Sequence, residues 1–146
     1  LPFIQVVGFD GKWTKEAGPL EGLRVHEARK KTIELLKENP EKINWDYLSE
    51  NSNAIELLKA NPNKIDWAQL SYNTKAIELL KDNQDKINWS NLSYNLAAIE
   101  LLRNNQDKIN WNQLSYNSKA IELLKKNPKK ININASFLFS IIHFLR

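Results

Sequence analysis

The string Ile-Glu-Leu-Leu begins at Ile33, Ile55, Ile77, Ile99 and Ile121, each start 22 residues after the one before. Tryptophan keeps the same spacing at Trp45, Trp67, Trp89 and Trp111, with Ile133 in the equivalent place of the last unit. Between them recur Asn39, Asn61, Asn83, Asn105 and Asn127, then Lys42, Lys64, Lys86, Lys108 and Lys130. Several unrelated features on one period define a tandem array in which each copy is one supersecondary unit. The array is expected over 32–134, with an N-terminal cap region over 1–31 and an apolar cap or docking segment over 135–146.

The middle unit, 73–94, reads as two short helices with their own punctuation. Asn73 offers an N-cap oxygen, and 74–81 carries Ala76, Ile77, Leu79 and Leu80 as an apolar face at helical spacing. Asn83 tolerates the left-handed conformation that closes a helix, and three units continue with proline (Pro40, Pro62, Pro128), where a helix cannot proceed. Asn88, or Asp66 one unit earlier, is the second N-cap, opening a helix through Trp89, Leu92 and Ser93. Helices of about two turns are marginal alone, so each unit must bury its apolar face against the next. The predicted fold is an all-α solenoid of short helix pairs. No period-two alternation supports strands, and Glu-Leu-Leu-Lys favours helix.

The ends differ. Phe3 and its neighbours to Val7, the turn at 9–12 and Trp13 predict a small β-hairpin; Gly18-Pro19 breaks the chain, and 23–38 reads as one longer helix. The sequence contains no methionine, which fits a processed or trimmed product or part of a longer protein. No run reaches the ~20 apolar residues of a membrane helix.

Composition, 42% apolar and 26% charged, is that of a folding chain, and the net charge of +4 is spread with both signs interspersed. The nearest approach to a basic run is Lys125, Lys126, Lys129 and Lys130, which reads as a solvated end. Without cysteine there is no disulfide, thiolate metal site or cysteine nucleophile. The recurrent Glu34, Glu56, Glu78, Glu100 and Glu122 each precede a Lys or Arg by three residues, the spacing of a surface ion pair rather than of an acid–base dyad. His26 and His143 have no ligand spacing. No catalytic, metal or cofactor residue is expected. Asn91-Leu92-Ser93 and Asn134-Ala135-Ser136 match the glycosylation sequon.

Constant positions are read as packing: the tryptophans as buried spacers between layers, and the Asn39 series as a ladder bonding neighbouring backbones. Variable positions follow the tryptophan and cross the unit junction, and here lie Tyr47, Gln69, Tyr72, Asn91, Tyr94, Gln113 and Tyr116, the candidate partner-binding strip. Tyrosine gives large contact area at low entropic cost. The expected function is a non-enzymatic protein–protein interaction or scaffold module; the competing reading is nucleic-acid binding through the lysine series and exposed aromatics.

The pattern Ala-Ile-Glu-Leu-Leu-Lys-x-Asn-Pro-x-Lys-Ile-Asn-Trp-x-x-Leu-Ser-x-Asn, nearly unbroken from Ala54, resembles the 22-residue tandem repeats of giant DNA viruses infecting amoebae and algae. That group mostly has no assigned activity, so the resemblance carries over no active site. It implies a viral source, a structural role in the particle as one version, and a location inside the host cell or in the virion.

Overall fold

Each Trp of the array stands at the first position of a helix because the residue before it caps that helix. A computed structural model describes residues 25–131, so the expected hairpin, the apolar segment 135–146 and the second sequon lie outside the described residues. Among the described residues there are nine α-helices and no strand. They are α1 (Val25–Glu38), α2 (Trp45–Glu50), α3 (Ile55–Ala60), α4 (Trp67–Leu70), α5 (Ile77–Lys81), α6 (Trp89–Tyr94), α7 (Ile99–Arg103), α8 (Trp111–Leu114) and α9 (Ile121–Lys125). The array is an all-α solenoid of short helix pairs.

The second helix of each pair starts where expected. Side-chain oxygens of Asn44, Asp66, Asn88 and Asn110 accept from the backbone N–H three residues on, satisfying one of the free donors of the first turn. The first helix of each pair starts later and is shorter than the sequence suggests: Ile77–Lys81, not 74–81. The residues after Asn73 are used in turns, with Lys75 N–H donating to Asn73 Oδ1 and Ala76 N–H to the Asn73 carbonyl.

The close of the first helix corrects a second expectation. Asn39, Asn61, Asn83, Asn105 and Asn127 sit at φ between −129 and −136°, not in the left-handed region. Their Nδ2 groups donate to the carbonyls four residues back, at 2.8–2.9 Å. A side-chain amide thus supplies the donor that a left-handed terminus would draw from the backbone. One turn of 3₁₀ helix follows, as at Pro62–Lys64 and Gln84–Lys86, before the chain enters the second helix.

The core consists of columns running along the array. Ala54, Ala76, Ala98 and Ala120 are wholly buried, as are Leu58, Leu80 and Leu102 and, from the second helices, Leu70, Leu92 and Leu114. Ile65, Ile87 and Ile109 add a fourth column, while Ile43 and Ile131 at the ends of the described array are only half-buried. Layers pack through like elements, α2 on α4 and α6 on α8. That arrangement is what short helices require, since neighbours supply the burial each lacks.

A candidate docking strip

The second helix ends in, or just before, a tyrosine in three successive units. Tyr72 and Tyr94 ring centroids lie 6.1 Å apart and Tyr94 and Tyr116 5.9 Å apart, tilted by 38° and 30°. These are contact distances for tilted aromatic pairs, so the three rings form a continuous stack crossing three units. Glu50 holds the corresponding place in the first unit and is exposed.

Three residues before that column on the same helices stand Tyr47, Gln69, Asn91 and Gln113. Residues three apart share a helix face, which sets Tyr47 beside Glu50 and Asn91 beside Tyr94. Tyr47 is 59% exposed and Tyr116 53%, whereas Gln69, Tyr72, Asn91, Tyr94 and Gln113 are half-buried. Asn91 is engaged across the layers, its Nδ2 donating to the Ala68 carbonyl at 2.9 Å. Leu96, two residues beyond Tyr94, is 47% exposed. Among the described residues, the large hydrophobics with real exposure are these three, Tyr47, Leu96 and Tyr116, and each lies on the strip or at its junction edge.

Beneath the strip are two polar ladders that sequence reading placed elsewhere or missed. The first belongs to Asn73, Asn95 and Asn117, not to the Asn39 series, whose amides bond the helix that precedes them, Asn127 also reaching Gln106 Oε1 at 3.5 Å. Asn95 Nδ2 donates to the carbonyls of Ser71 and Asn73 in the preceding unit, at 3.0 and 3.1 Å. Asn117 repeats this with Ser93 and Asn95, and Asn73 donates to Ser49. The second ladder is serine. Buried Ser49, Ser71 and Ser93 donate to the Trp carbonyl four residues back and accept the N–H of Asp66, Asn88 and Asn110 from the next unit. The signal was the constancy of Ser and Asn after Leu in the first four units, since a buried polar group must find a partner.

Trp45, Trp67, Trp89 and Trp111 are half-buried rather than enclosed between layers. The Nζ atoms of Lys86, Lys108 and Lys130 stand 4.7–4.8 Å from the ring centres of Trp67, Trp89 and Trp111, each lysine coming from the next unit. A large ring at the rim of a two-helix layer keeps one face open, and the cation covers it. Glu56, Glu78, Glu100 and Glu122 form their expected ion pairs at 2.8–3.2 Å. Glu34 pairs instead with Lys31, at 3.8 Å. The hydrogen bond and charge of Glu78 hold the Lys81 ammonium above the ordinary lysine value.

Among the described residues, no three His, Cys, Asp or Glu side chains come together in a way that would hold a metal. No described helix is long and apolar enough to cross a membrane. The Asn91 sequon lies within α6, with Asn91 Nδ2 donating to Ala68 and Ser93 Oγ buried between Trp89 and Asn110. In the folded chain those groups are committed to packing.

No family model matches the chain, and no solved structure matches it. The chain is similar to part of a valine–tRNA ligase from Thermoplasma acidophilum, 38% identical over 54 residues. Those residues are 37% of this chain and 7% of the ligase, so the chain spans a small fraction of that relative.

Proposed function

We propose that the chain is a non-enzymatic interaction or scaffold module that docks a protein partner along the strip of Tyr47, Gln69, Tyr72, Asn91, Tyr94, Gln113 and Tyr116. One observation carries this reading: the constant residues are spent on the core and its ladders, while the exposed large apolar side chains among the described residues collect on one strip. Tyrosines held in a rigid stack lose little entropy on binding, and their neighbours are adaptable amides. The resemblance to giant-virus repeats supports a place in the host cell or the virus particle, with a structural role in the particle as the concrete version. The test is affinity capture from the native source with the unaltered chain and with a Tyr94→Glu/Tyr116→Glu variant. Partners should be lost from the variant and kept by Glu78→Gln, which alters only an exposed ion pair; an unchanged set of partners ends the reading.

A second reading, nucleic-acid binding, is favoured by the lysine set one per unit over the Trp rings. The likeness to a stretch of a valine–tRNA ligase adds to it. Against it, these lysines cover Trp at the start of each second helix whereas the tyrosine stack lies at its end, so the recurrent lysine series and the tyrosine stack are set apart. Binding through phosphates must weaken steeply with salt. A gel-shift titration at two ionic strengths decides: absent or salt-insensitive binding removes this reading.

A further inference from the structure

The strip is electrically lopsided. At one end, on α2, the exposed Tyr47 stands with exposed Asp46 and Glu50; at the other, the exposed Tyr116 stands with exposed Lys119. The surrounding units exaggerate the difference. Residues 32–53, the unit of Tyr47, carry five carboxylates against two lysines, whereas residues 98–119, the unit of Tyr116, carry three basic residues against two carboxylates. Between the two ends lie Tyr72, Tyr94 and the exposed Leu96, with exposed Lys75 as a charge beside Tyr72, so a mainly apolar middle is flanked by opposite charges; the two-fold pairing sets Lys75 opposite the uncharged Ala97.

A surface of this pattern complements itself when turned end for end. We propose that two copies of this chain pair antiparallel along the strip, with a two-fold axis between Tyr72 and Tyr94. Tyr72 of each copy then meets Tyr94 of the other, and Glu50 meets Lys119 at both ends. A side-by-side parallel pair is disfavoured because it sets Asp46 and Glu50 against their own copies, and like charges across an interface cost free energy. End-to-end stacking is disfavoured as well: one period before Asn51 stands Arg29 and one period after Asn117 stands Phe139, so the asparagine ladder is not continued in sequence at either end. The antiparallel pair is isologous and closes at two copies, which spares the strip from open-ended assembly. It rests on the reading of the strip as a docking surface and names a second copy as one partner for it.

The test uses the full 146-residue chain and two single charge reversals, Glu50→Lys and Lys119→Glu, both at exposed positions. Sedimentation over a concentration series should show a dimer in low salt that dissociates at ~1 M salt, where screening acts within ~3 Å. Each reversal alone sets like charges at both ends and should weaken self-association about tenfold or more. Mixing the two variants restores an opposite pair at each end, so the mixture should dimerise as tightly as the unaltered chain. Circular dichroism on each variant checks that the helices are intact. An unaltered chain that stays monomeric at every concentration, a dimer indifferent to either reversal, or a mixture no tighter than its components overturns the inference. If the chain is monomeric yet still loses its native partners on Tyr94→Glu/Tyr116→Glu, the inference fails while the docking reading stands.

Discussion

Asn95 shows how one side chain joins two units. Its Oδ1 accepts from Ala97 N–H and shapes the turn into α7, while its Nδ2 bridges two carbonyls of the unit before. Replacing it with alanine removes three hydrogen bonds and strands buried acceptors, each costing about 1–3 kcal/mol. Asn95→Ala should therefore destabilise the chain by about 2–4 kcal/mol, read as a lower urea midpoint. Asn83→Ala breaks only local bonds, the one to the Leu79 carbonyl and a long, exposed one from Lys86 Nζ, and should cost about 1 kcal/mol. Equal losses would mean that the Asn95 ladder is no more than a local cap. Both series keep the same period and residue type, so sequence alone does not reveal which is buried; the choice depends on what the next unit places above it.

At the scale of the element, the short helices are punctuated locally and stabilised remotely. The second helices are legible because the Asn or Asp N-cap acts within one turn. The first helices begin three residues later than the apolar pattern suggests, because Asn73 and its equivalents hold the following turn through bonds a periodicity argument does not see. Trp89 marks the boundary between helix and layer. A fully enclosed indole lost to alanine costs about 3–5 kcal/mol, but this half-buried ring should cost about 2–3 kcal/mol, part of it through Lys108. A double-mutant cycle of Trp89→Ala with Lys108→Gln should return a coupling of about 0.5–1 kcal/mol. A coupling of zero would mean that the ammonium merely lies nearby.

For the whole molecule, stability adds unit by unit because the packing and ladder bonds of a layer fall mainly on the layers beside it. Deleting 76–97 removes one complete period and joins Lys75 to Ala98, the same Lys-Ala junction that the chain has at 75–76 and 119–120. The shortened chain should fold with the same helical signal per residue and a lower melting temperature. Deleting only 76–86 puts a second-helix segment where a first helix belongs and should abolish cooperative unfolding. If both deletions behave alike in thermal circular dichroism, the layers are not the folding unit.

The period, the helical class, the N-caps of the second helices and the core Leu positions were determined by the sequence itself, because each follows from chemistry within one unit or from its strict repetition. Only the tertiary structure decided which asparagine crosses the layers, how far the tryptophans are covered, and that Tyr72, Tyr94 and Tyr116 form one stack. Those outcomes depend on where the next unit sits in space. A chain read along its length shows that the units are alike, while the direction in which they face one another is fixed only when the layers pack.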